Sequence, residues 1–143
     1  MKNDSNLFYT CSLIEYMSRR KKVRRSECVR LLGTKAIDRI YRYVDILHCE
    51  PIEKVADEYE QQYLPSSGEY DNVKSCRFNV PDYWTIGKVF SRLVEDVDDG
   101  DVVKTLNKVY TSWISDEISN YNTDLYYQPR EYLRECYLAG KII

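Results

Sequence analysis

RRKKVRRSECVRLLGTKAIDRIYRYVDILHCE (residues 19–50) holds the densest positive charge of the chain, two helical patterns around a glycine, and the only histidine, His48. Ser26 reads as the cap of a short helix running through Leu32, with Cys28, Val29, Leu31 and Leu32 facing inward. Gly33 supplies a turn and Thr34 the next cap. The following helix, predicted over 35–45, carries Ala36, Ile37, Ile40, Tyr41 and Val44 on one side. Lys35, Arg39 and Arg42 lie on the other side, which makes an exposed basic face.

The same periodicity extends in both directions. Upstream, Asp4 or Ser5 can cap a first helix whose apolar face is Leu7, Phe8, Cys11, Ile14 and Met17, widened by Leu13 and Tyr16. It ends in the basic run of residues 19–25, where cations suit a helix C-terminus. Downstream, residues 46–50 form a short connector and Pro51 opens a helix with Ile52, Val55, Ala56 and Tyr59 inward. Pro, Ser and Gly mark residues 64–79 as a loop, with room for a hairpin at Asp71 and Asn72. Asn79 or Asp82 caps the next helix, which stops at Asp98, Asp99 and Gly100. Asp101 then opens a single long helix from Val102 to Ile118, with apolar residues at close to ideal three-and-four spacing. After a loop over 120–128, Pro129 starts a last helix that Gly140 ends. Seven helices and hardly any strand make the expected fold all-α, a compact bundle. The expected organisation is one domain, with subdomains 1–63 and 80–143 joined by the loop.

Composition agrees with that reading. The 143 residues include only five glycines and four prolines, with 31% charged residues, which favours long helices over a turn-rich β fold. A chain of this length buries a normal core without disulfide staples. The five cysteines show no CxxC spacing and read as small core hydrophobes of a reduced, cytoplasmic protein. Polar first residues predict no secretory leader, and no apolar stretch approaches a membrane span.

The net charge of −2 hides an asymmetry. Residues 19–42 hold ten Lys/Arg against two acids, whereas residues 43–143 hold ten against nineteen. The basic end therefore suits either an acidic partner or internal pairing with the acidic end. A solvated basic run would complement the acids at residues 95–101. Those acids lack the loop of an EF-hand and read as a helix-capping turn. His48 beside Cys49 suggests a nucleophile pair, but adjacent side chains point apart and no third group orients them. One histidine and scattered cysteines give no metal spacing, and no cofactor motif is present. The aromatic-rich second half offers interface anchors. Tyr121, Tyr126 and Tyr127 in the loop are expected at the surface, and Trp84 and Trp113 in the core.

Leu13-Ile14-Glu15-Tyr16 and Tyr43-Val44-Asp45-Ile46-Leu47-His48 resemble the Ile-Glu-x-Tyr opening and Tyr-Asp-x-Leu-His close of a bacterial family of short helical proteins, the domain-of-unknown-function family 3791. The resemblance covers about residues 7–59 and assigns no catalytic residue. It implies a toxin-neutralising or accessory role, because genes of that family often neighbour ADP-ribosyltransferase-like toxins.

Together these features predict a non-enzymatic bacterial or phage binding protein that masks or inhibits a partner with an acidic surface. The expected contact residues are Arg19, Arg20, Lys21, Lys22, Arg24, Arg25, Lys35, Arg39 and Arg42, with Tyr121, Tyr126 and Tyr127 as anchors. The alternative is a helix-turn-helix regulator that places the basic face of residues 19–42 on DNA. The tyrosine-rich faces also fit a homodimer.

Overall fold

In the computed structural model, which describes residues 4–143, the chain is all-helical. Eight α-helices and one 3-10 turn occur among the described residues, and no strand. The Asp4 carboxylate accepts the Leu7 N–H at 3.0 Å and starts α1, Ser5–Lys21. Lys22 ends it in the left-handed region, at φ 55°, where a lysine is uncommon. Two backbone bonds from the 64–79 loop hold this turn: Gly68 N–H donates to the Lys21 carbonyl at 2.7 Å and Tyr70 N–H to that of Lys22 at 2.9 Å. The loop thus serves as a strap over the end of α1 and forms no hairpin.

Helix α2 spans Arg25–Arg42, with Arg24 as its cap in place of the expected Ser26. Gly33, at φ 80° and ψ 161°, leaves helical geometry, so α2 is two helical segments that meet at a kink, with the glycine turn where it was expected. A short α3 follows at Val44–Leu47, then α4 at Ile52–Tyr63 behind Pro51. Asp82 caps α5, Tyr83–Val97, by accepting the Thr85 N–H at 2.7 Å. Asp101 does the same for α6, Val102–Tyr110. The single long helix expected over 102–118 is two, because α7 begins afresh at Trp113–Ser119. At the break the Thr111 and Ser112 hydroxyls donate to the carbonyls of Asn107 and Val109, each at 2.7 Å. The 3-10 turn is Leu125–Tyr127, and α8, Arg130–Ala139, ends at left-handed Gly140.

Helix α1 lies at the centre. Leu7, Cys11, Leu13, Ile14 and Met17 have no exposed surface, and neither do Thr10, Ser12, Glu15 and Ser18 around them. Full burial of such apolar side chains stabilises by about 1.5–3 kcal/mol each. Its main neighbour is α5, with α2 and α4 on other sides, while α6 packs on α2 and α5, and α8 on α5. Gly87 lets α1 and α5 approach closely: a Cβ there would lie 2.7 Å from the Ser12 Cα and 2.8 Å from its N. The segments before and after the loop therefore share one continuous core, which includes Phe90 stacked on Tyr110 at 4.2 Å.

Candidate functional site

The basic run of residues 19–25 is largely built into the fold. Arg25 is 1% exposed, which corrects its expected place at a partner surface. Its Nε donates to Glu15 Oε1 at 2.9 Å and its Nη2 to the Tyr121 hydroxyl at 3.3 Å. The Tyr110 hydroxyl donates to the other Glu15 oxygen at 3.2 Å. The reason is Glu15 itself, a carboxylate on the buried face of α1 that requires a paired cation. Burial alone would favour discharging the Arg25 guanidinium, but the Glu15 charge, its hydrogen bond and the Tyr121 and Tyr70 hydroxyls together outweigh it and the pKa rises. Tyr121, expected at the surface, is 3% exposed because its hydroxyl joins this network and also accepts from Arg19 Nη2 at 3.0 Å.

The other cations of the run find partners too. Arg20 pairs with Asp57 at 2.5 Å and Glu60 at 2.8 Å. Arg24 pairs with Asp116 at 3.1 Å and lies over the Tyr70 ring at 4.6 Å. Lys21 reaches the Pro65 carbonyl at 3.5 Å, and Lys22 is exposed. The acids used come from α1, α4 and α7, not from residues 95–101. Asp96 in that stretch instead holds Arg130 by two bonds of 2.8 and 2.9 Å, and Asp98 accepts from the Thr105 hydroxyl. Among the described residues, no group of three His, Cys, Asp or Glu side chains could hold a metal ion.

The later cations of α2 remain outside. Lys35, Arg39 and Arg42 are exposed, with Arg42 tied to Asp38 at 2.7 Å, while burial raises the Tyr59 pKa on α4 and the nearby Arg39 charge opposes that rise. Tyr43 and Ile46 continue this flank, 53% and 65% exposed.

Beside it lies a face that the sequence did not single out. The rings of Phe8, Trp84, Tyr83 and Tyr16 form a chain with centroid spacings of 5.5, 5.0 and 4.9 Å. Arg20 closes it, 5.1 Å over Tyr16. Tyr59 and Tyr63 stack at 6.1 Å on α4, with the Arg39 charge of the basic flank close enough to act on Tyr59. Trp84, expected in the core, is 36% exposed. Behind it Tyr9 is buried with its hydroxyl lacking a hydrogen-bond partner, and burial pushes its pKa up to about 12. The available signal was spacing: Tyr9, Tyr16 and Arg20 recur at seven and four residues, one flank of α1. Of the loop tyrosines, Tyr127 is exposed and Tyr126 half-buried, edge to face at 4.9 Å. Trp113, also expected in the core, is exposed at the start of α7.

The groups suited to acid–base or nucleophilic chemistry are occupied locally. His48 Nδ1 bonds the Val44 carbonyl at 2.8 Å and the Cys49 thiol the Asp45 carbonyl at 3.4 Å, so each engages its own helix and not the other. Cys11 and Cys28 are fully buried, and burial pushes the Cys28 thiol up to about 12 and that of Cys11 higher still. A cavity of about 750 Å³ opens beside the strap, where Arg24 and Asp116 already pair across its wall. No helix of the described residues is long and apolar enough to cross a membrane. No protein-family model, no curated protein and no solved structure matches this chain.

Proposed function

We infer that this chain is a binding protein that docks its aromatic face and the adjoining basic flank on an acidic surface of a partner protein, masking it. The observation that carries the reading is the ring chain Phe8–Trp84–Tyr83–Tyr16, closed by Arg20, beside the exposed cations Lys35, Arg39 and Arg42 of α2. Trp, Tyr and Arg dominate binding energy at protein interfaces. Rings already packed against one another lose little conformational freedom on docking. Asp57 and Glu60 offset much of the Arg20 charge, so steering falls to Lys35 and its neighbours on α2. A masking role agrees with what the resemblance of Glu15, Tyr16 and the Tyr43–His48 stretch implies.

The test is a pull-down from the native host with nuclease-treated and untreated lysates in parallel. Baits are the wild-type chain, Trp84→Ala, Lys35→Glu/Arg39→Glu, and Lys104→Glu on α6 as a charge control. The reading expects one protein recovered in both lysates, reduced about tenfold or more by the first two variants and unchanged by the control. Recovery of nucleic acid, with proteins lost after nuclease, would transfer the same flank to DNA binding and overturn it.

A further inference from the structure

A cleft of about 290 Å³ opens between α5, the 3-10 turn and the start of α8. Val89, Leu93 and Leu133 make it apolar, and Tyr126 and Tyr127 form an aromatic wall. Its charged lining is Lys88, Arg92 and Arg130, with no acid among the lining residues. Asp96 and Glu95 are committed to Arg130, at 2.8 and 3.7 Å. Lys88 and Arg92 make no ion pair among the described residues, and Arg92 Nε is buried without a hydrogen-bond partner. Helix α8 begins here behind Pro129 with no side-chain cap, so the positive end of its dipole adds to the same field. An apolar, ring-walled cleft with unpaired cations and one orphaned buried donor has the chemistry of a site for an amphipathic anion. Its volume sits at the small end for ligand sites, which suits one ring.

We propose that this cleft binds a small organic acid, a carboxylate carried on a single apolar ring, with the carboxylate on Lys88 and Arg92 and the ring against Tyr127 and Leu93. Arg92 supplies paired donors for the carboxylate, and Lys88 a point charge. Lys88 and Arg92 also border a second cleft with Phe8, Asp4 and Glu95, so the site adjoins the docking face and is told from it by which variants weaken it.

The experiment titrates the full chain with 3-phenylpropionate and, separately, with its neutral primary amide, followed by amide-resolved NMR. Saturable shifts are expected on residues 88–93 and 126–133, with the amide about tenfold weaker or worse. Lys88→Gln and Arg92→Gln should each weaken the acid about tenfold, while Lys104→Gln leaves it unchanged. Lys88 is on the surface, so Lys88→Gln tests the site even where Arg92→Gln disturbs packing. Equal binding of acid and amide, shifts centred elsewhere, indifference to Lys88→Gln, or no binding at millimolar acid would each overturn the proposal.

Discussion

Glu15 and Arg25 hold opposite charges inside the molecule, each with no side-chain exposure and 2.9 Å apart. Removing one partner leaves the other charge uncompensated in the core, which typically costs 3–5 kcal/mol, whereas an apolar pair of similar volume restores most of it. Arg25→Met is therefore expected to lower the unfolding free energy by about 3–5 kcal/mol in urea titrations. Glu15→Leu/Arg25→Met should recover much of that loss; a double variant as unstable as the sum of the singles would show the two charges to be uncoupled. This pair also marks where reading the sequence stopped. The charge excess of residues 19–42 was plain, but nothing local distinguishes Arg25 from Arg24. What selects it is Glu15, ten residues away, whose neighbours Ile14 and Tyr16 gave the apolar face without revealing that an acid shared it.

At the scale of elements, α1 and α5 meet where Gly87 faces Ser12 backbone. Alanine is the better helix former by about 1 kcal/mol, yet a Cβ at this position meets main-chain atoms that cannot rotate away. Gly87→Ala should destabilise by about 1–3 kcal/mol, measured by thermal or urea unfolding; a gain in stability would show that the helices part easily. The caps make a second prediction. The Thr85 N–H holds the Asp82 carboxylate below its ordinary pKa. A folded-state pKa below the unfolded one adds stability above the unfolded value and loses it as pH falls through the folded value. Asp82→Ala should cost about 1 kcal/mol at pH 7, with the difference from wild type shrinking as pH drops below about 4. A difference that stayed constant down to pH 2 would contradict the role of the charged cap. The capping aspartates and most helix positions were legible because caps and periodicity are local. The break at Thr111 and Ser112 was not, since uninterrupted apolar spacing masked two hydroxyls that turn back on the preceding helix. Gly33 was legible as the turn between two helical segments, because a residue without a Cβ is the one that takes that backbone conformation freely.

Across the whole molecule, the asymmetry of charge resolves into two parts. Residues 19–25 chiefly tie α1 to α4, α7 and the strap, while Lys35, Arg39 and Arg42 stay outside. The all-α class could be read from composition and period. The aromatic face could not, because its rings come from α1, α4 and α5, brought together only by the packing of α1 on its neighbours. That face is the centre of the account, and its most direct test is photocrosslinking in the native host. A benzophenone amino acid would replace Trp84, with the same probe at exposed Thr111 as control. The account predicts one light-dependent protein adduct from position 84, absent from position 111, and lost when Lys35→Glu/Arg39→Glu is added. No adduct at 84, the same adduct from both positions, or an adduct indifferent to the charge reversal would contradict it.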